Sequence, residues 1–275
     1  MKKLEGLLWK VFYFLIFVIV IKIAGDLAGI RLEEDYLSFK ILFFSLPVVI
    51  LVLHSLIALS LKRSILFIFL AVTTGTIMEY IGLKDGTFFG GHYIYKPQIA
   101  LFNVPINVIL FWAVFIYTGY SITNSFLFWL YHKKPNFKIR NFWLLLLTIV
   151  FDGLFVVALD LFMDPIAVKS GSWKWLEGGQ YFGVPVGNFI GWFIVTIVVT
   201  GIFRIMEYFF PKKETNYNKS IFIIPVLGYG LLALSFCLKA LNFQMYNLAI
   251  LGSLFMIPTV IINLFFFKKY KKLVT

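Results

Sequence analysis

The chain has 275 residues, of which 61% are hydrophobic and 14% charged, and its mean hydropathy is +0.91. Soluble domains carry about 25% charged residues, so a soluble enzyme is excluded and an integral membrane protein, one transmembrane domain over 1–275, is expected. The net charge of +12 does not signal nucleic acid: Lys and Arg stand in short clusters between apolar runs, as topology determinants that contact membrane lipids.

A bilayer span needs about 20 mostly apolar residues. The pattern recurs eight times, at roughly 7–29, 39–61, 64–82, 102–130, 141–164, 186–209, 220–241 and 246–267, which predicts an all-α polytopic protein. Met1-Lys2-Lys3 and the apolar run after it resemble a signal peptide. The length of the run and the even helix count identify it instead as an uncleaved first span. Lys2 and Lys3, Lys62 and Arg63, Lys133 to Arg140, Lys212 to Lys219, and Lys268 to Lys272 all fall on one side of this arrangement. The positive-inside rule makes that side, and both termini, cytoplasmic in a multi-pass protein of the cell membrane. The acidic turn Glu33-Glu34-Asp35 and two long loops, about 83–101 and 165–185, fall on the other side. Cys237 stands alone in an apolar run, which excludes a disulfide framework.

Both long loops are rich in Gly, Pro, Trp and Tyr, and each closes on Val-Pro, Val104-Pro105 and Val184-Pro185. An asparagine follows each, Asn107 or Asn188. This is either a faint internal repeat or shared loop chemistry.

A carboxylate within a span costs several kcal/mol unless it is paired or faces a cavity. The fifth span carries three, Asp152, Asp160 and Asp164. Asp160 and Asp164, four residues apart, share one helix face. Pro165 disfavours helical geometry at Asp164, so the helix is expected to end there with that carboxylate at its lip. Asp152 lies roughly 12 Å deeper and reads as a structural partner or a proton relay. Glu79 and Asn188 belong to the same outer half. Asp26 is expected to pair with Lys22, four residues earlier.

His54 reads as a packing residue, His132 as the start of a cytoplasmic basic loop, and His92 as a neighbour of the carboxylates without metal-ligand spacing, so no metal is expected. Tyr93, Tyr95, Trp173, Trp175, Tyr181 and Trp192 form an aromatic set interleaved with glycines. They suit an interfacial belt or a wall that stabilises a cation. Asp160-x-x-x-Asp164 also fits a membrane prenyltransferase holding Mg²⁺ and a diphosphate. A single such pair, on the face away from cytosolic diphosphates, argues against that.

Three segments carry a resemblance to a known family. GTIMEYIGLKDGTFFGGHYIY, then Val104-Pro105 and Trp112, and DLFMDPIAVKSGSWKW with YFGVPVGNFIGW resemble the integral-membrane carotenoid biosynthesis family of bisanhydrobacterioruberin and gamma-carotene hydratases, over about 75–195. One departure is visible: Phe89-Gly90-Gly91-His92-Tyr93-Ile94-Tyr95 has one glycine more than F-G-x-Y-x-Y. The resemblance implies water addition across the terminal double bond of an acyclic carotenoid or related isoprenoid, with no cofactor; other carotenoid enzymes are candidate partners.

Such a reaction needs a carboxylic acid that is protonated near neutral pH, a tertiary cation held by aromatic faces, and one positioned water. Asp160 or Glu79 is the expected acid. Asp164 and Asn188 are expected to orient water, with Tyr93, Trp175 and Tyr181 around the cation. Tyr95, Trp173 and Trp192 complete the expected substrate site. A prenyltransferase, cyclase or isomerase on the same substrates and a proton-coupled transporter or lipid-binding protein are the alternatives.

Overall fold

The computed structural model describes residues 2–30, 32, 36–131, 141–211 and 218–274. The acidic turn Glu33-Glu34-Asp35, His132 and the basic stretches 133–140 and 212–217 lie outside the described residues. Eight helices are long and apolar enough to cross a membrane: α1 (Lys2–Leu27), α2 (Leu37–Leu59), α3 (Leu61–Asp85), α4 (Ile106–Tyr131), α5 (Phe142–Lys169), α6 (Val186–Phe209), α7 (Ile223–Asn242) and α8 (Tyr246–Val274). A 3₁₀ turn, Lys219–Phe222, leads into α7.

Burial separates the centre of the bundle from its rim. In the most apolar stretch of each span, 67% of α4 and 56% of α6 is buried, against 28 to 39% elsewhere. The outward faces of the other helices are the apolar surface that lipid requires, as at Phe14, Phe69, Leu254 and Phe265. Glu5 Oε1 accepts from the Asn218 backbone, Arg63 donates to the Phe210 carbonyl, and Phe128 packs against both Phe222 and Tyr270. These contacts gather Lys2, Lys62, Arg63 and Lys268 to Lys272 at one end, as the even helix count requires. The two long loops cover the opposite end.

The expected all-α architecture is present, and those loops add short strands to it. β1 (Tyr93–Tyr95) of the first loop pairs antiparallel with β4 (Trp173–Trp175) of the second, matching Tyr93 to Trp175 and Tyr95 to Trp173. β2 (Ala100–Leu101) pairs with β3 (Val104–Pro105), so α4 starts at Ile106 rather than near 102. In this hairpin Phe102 and Asn103 have φ of 54° and 64°; Phe182 and Gly183 have 51° and 87° in the second loop. Both turns are of the primed type. Leu101 pairs with Val104 in one, Tyr181 with Val184 in the other, and each leads through a proline into a helix. The two halves thus repeat one local structure.

A second expectation is corrected at Pro165. α5 does not end at Asp164; it continues through the proline to Lys169. Proline forfeits one backbone bond and crowds the preceding turn, and in a packed membrane bundle neighbouring groups compensate. Asp164, Pro165, Ile166 and Ala167 are all buried, so tertiary packing overrides the local preference. Asp164 consequently lies inside the protein, more than a turn from the end of the helix.

Candidate functional site

Glu79 stands on α3, buried at 4% exposure. Two turns later Gly86 caps the helix in the left-handed conformation, and the chain doubles back so that β1 passes over the carboxylate. Tyr93 donates its hydroxyl hydrogen to Oε2 at 2.7 Å and Tyr95 to the same oxygen at 2.8 Å, while the Trp112 indole donates to Oε1 at 3.2 Å. All three partners are donors, an arrangement suited to a carboxylate. Burial first, and then the charge of Glu79, holds the phenols of Tyr93 and Tyr95 above the usual tyrosine range, so both stay O–H donors.

Across from it, α5 and α6 present a second group. The Asn188 side-chain amide donates to Asp160 Oδ2 at 2.9 Å and to Asp164 Oδ2 at 2.7 Å. The i, i+4 spacing predicts the shared face, and Asn188 at the start of α6 clamps it. The two Oδ1 atoms are buried with no hydrogen-bond partner among the described residues.

A cavity of about 470 Å³ joins these groups. Glu79, Asp164, Asn188, Tyr93, Tyr95, Trp173, Trp175 and Trp192 line it. Asp160 stands behind Asp164, fully buried, and does not reach the lining. Tyr181 is also outside it, its ring edge-on to Phe182 and Phe189. Phe43, Phe44, Phe111, Phe115 and Phe236 supply the apolar wall, and Lys22, Lys40, Lys96 and Lys239 add four cations. The phenylalanines give no signal in a chain with 33 of them. The lysines could have been noticed as cations placed away from the basic clusters.

Asp152 is not brought to this cavity. Arg204 of α6 grips it through Nε at 2.5 Å and NH2 at 2.7 Å, and also donates to Asn124 at 3.0 Å. Arg204 is absent from the expected site residues, although a lone arginine in an apolar span is itself a signal of a buried partner. The expected Lys22–Asp26 pair is present at 2.7 Å. His54 packs as expected: its Nε2 faces the Ile221 carbonyl at 3.2 Å, which makes that nitrogen the donor and leaves Nδ1 to accept from Tyr117 at 2.7 Å. His92 is exposed. Among the described residues no group of three or more His, Cys, Asp or Glu is placed to hold a metal ion.

The glycines of the first loop serve backbone packing. A Cβ on Gly187 would lie 2.6 Å from the Gly90 Cα, and Gly90 has φ of +77°, so these two positions let the loop sit directly on the start of α6. The extra glycine beside Gly90 leaves both tyrosines of the motif on Glu79.

No curated protein and no solved structure matches the chain. The family model described as carotenoid biosynthesis protein matches residues 38–259. That stretch takes in α2 to α7, both loops and every group around the cavity except Lys22. The chain is a multi-pass membrane protein with a role in carotenoid biosynthesis, and it belongs to the carotenoid biosynthesis protein family.

Proposed function

We propose that the protein is a hydratase that adds water to the terminal carbon–carbon double bond of an acyclic carotenoid. The observation that carries this reading is the cavity that joins an aromatic wall to two kinds of carboxyl site: Glu79, ringed by donors, and the Asp160–Asp164 pair on one amide. Two adjacent buried carboxyls do not both ionise easily, and such a pair holds one proton between them. Asp164, facing the cavity, delivers that proton to the less substituted alkene carbon. The π bond breaks, and a tertiary cation forms on the carbon bearing the two methyl groups.

The faces of Trp175, Trp173 and Trp192 and the Glu79 carboxylate stabilise that cation. A water in the cavity adds through its oxygen, and the proton it loses returns to the aspartate pair. One water is consumed, a tertiary alcohol is formed and no electrons are exchanged. Asn188 holds the acid pair together, since both hydrogens of its amide are spent on carboxylates, and Asp160 acts through Asp164. The same amide argues against a prenyltransferase: it presents hydrogens where Mg²⁺ would need lone pairs.

The test is expression in a bacterium that accumulates acyclic carotenoids. A pigment heavier by one water, present with the parent chain and absent with Asp164→Asn and with Asp160→Asn, supports hydration. A product heavier by an isoprenyl unit, or no product with the protein present in the membrane, overturns it.

A further inference from the structure

Five aromatic rings of the cavity wall are joined in a row. On α2, Phe43 and Phe44 meet edge to face with centroids 5.4 Å apart, and Phe44 meets Phe111 of α4 in the same way at 5.5 Å. Phe111 contacts Phe115 one turn on at 5.2 Å, and Phe115 reaches Trp192 of α6 at 6.1 Å. All five line the cavity. Phe43, Phe44 and Phe111 are only partly buried, so part of their surface stays accessible, unlike the fully buried Phe67 and Phe162.

The row leads from the rim of the bundle to its centre. It starts on α2, whose most apolar stretch is 28% buried, and ends on α4 and α6, the two most buried spans. Phe43, Phe115 and Trp192 lie about 9 to 14 Å along their helices from the outer ends. Trp192 stands four residues after Asn188, so the last ring is one turn from the amide that holds Asp160 and Asp164.

Volume limits what can enter. If each carbon takes about the 30 Å³ of a water in the liquid, 470 Å³ holds roughly 16 carbons, less than half of a carotenoid skeleton. The end group and the conjugated stretch beside it fit, and the remainder of the chain stays outside. Aromatic ring edges carry partial positive charge and attract a π face. A conjugated chain is also planar and stiff, so holding it along fixed rings costs little ordering entropy. An unconjugated isoprenoid with the same end group has no extended π face and must fix several rotating single bonds.

We propose that the row from Phe43 to Trp192 is the track that holds the conjugated polyene beside the reacting end group, and that it selects carotenoids over unconjugated isoprenoids with the same terminus. The placing of the end group at Asp164 rests on the hydration reading; the recognition of the polyene does not.

The test uses the purified full-length chain in detergent, titrated with lycopene and followed by the circular dichroism that an achiral polyene acquires when a protein holds it. Squalene, which ends in the same dimethyl alkene but has no conjugation, is the competitor. Lycopene should bind roughly tenfold more tightly than squalene. Phe44→Leu with Phe111→Leu, which keeps both positions apolar, should weaken lycopene roughly ten- to a hundredfold and leave squalene almost unchanged. Phe69→Leu with Phe265→Leu, on the lipid-facing surface, should change neither. If the first pair does not fold, Phe44→Leu alone, at a partly buried position, should still narrow the preference.

Equal loss of lycopene and squalene in the Phe44 and Phe111 variant makes the row an ordinary apolar wall and overturns the proposal. Equal affinity of the parent for the two, no induced dichroism, or lycopene binding that the variant keeps in full overturns it as well. Lycopene held by a parent chain that adds no water to it would sink the hydration reading and leave the track standing. Hydration by a variant with unaltered lycopene affinity would do the reverse.

Discussion

Trp112 and Trp192 stack face to face, ring centroids 3.9 Å apart and planes inclined by 22°. Each stands seven residues after the proline that opens its helix, Pro105 or Pro185. Each helix follows the same primed turn, and each turn follows a helix that carries a buried acid, Glu79 in one half and Asp164 in the other. The site is thus assembled from two helix–loop–helix units with the same turn, whose loops zip together through β1 and β4. The stacked indoles mark where the two units meet.

Trp112 has two duties that a substitution separates. Phenylalanine retains an aromatic ring against Trp192 but cannot donate to Glu79. A hydrogen bond to a charged group contributes about 1.5–3 kcal/mol, and about 1.4 kcal/mol is tenfold in rate. Trp112→Phe should therefore lower hydration roughly ten- to a hundredfold in a folded protein. Unchanged product yield at equal expression would show that this donor does not matter to the chemistry.

Asp152 and Arg204, 0% and 2% exposed, form a bidentate ion pair away from the cavity. Breaking a buried pair by removing one partner costs about 3–5 kcal/mol, whereas replacing both with apolar residues of similar volume is often neutral. Asp152→Asn should lower the thermal midpoint in detergent strongly, and Asp152→Leu with Arg204→Met should recover most of the loss. Hydration by that folded double variant is the decisive reading: retained activity assigns Asp152 to structure, and its loss with stability restored would return Asp152 to proton transfer.

Eight apolar runs made the helices legible, because a span of about 20 apolar residues has few other uses. The face shared by Asp160 and Asp164 follows from their spacing alone. Long-range register is different: nothing local says that Tyr93 lies opposite Trp175, or that Tyr95 reaches back sixteen residues to Glu79. The end of α5 is not legible locally, because the Pro165 rule is local, while the burial of Asp164 to Ala167 that overrides it is tertiary. Asp160 is hidden behind Asp164 for a related reason, since helical periodicity gives a face but not which of two residues on it meets a cavity. Lys22, Lys40, Lys96 and Lys239 are scattered along the chain and line one cavity only once α1, α2, α7 and the first loop are packed.

Gly187 tests how closely the loop must sit on α6. An added Cβ would lie 2.6 Å from the Gly90 Cα and 2.9 Å from its nitrogen, and backbone on backbone has no flexible end to move aside. Overpacking of this kind costs about 1–3 kcal/mol. Gly187→Ala should lower the thermal midpoint and, by lifting β1 with its two tyrosines, reduce hydration beyond what the stability loss explains. Gly171→Ala is the control: nothing lies within 4 Å of the added methyl, so only the cost of its positive φ should appear. Equal effects of the two substitutions would mean that the close approach is not needed.

The phenols over Glu79 predict a pH dependence with a definite sign. Burial and the Glu79 charge raise the folded-state values of Tyr93 and Tyr95, while an unfolded tyrosine titrates near about 10. Below that pH both states hold the protons and the stability from these groups is present in full. As pH rises past it, the unfolded chain releases protons that the folded protein retains, so stability falls towards the folded-state values. Tyr93→Phe with Tyr95→Phe should therefore flatten the alkaline decline in thermal midpoint. In the folded protein the same double variant should leave the tyrosinate absorbance rise near pH 10 unaltered, because the removed phenols do not ionise there. A smaller rise in the variant would mean that the two hydroxyls titrate as exposed phenols and do not stand guard over the carboxylate.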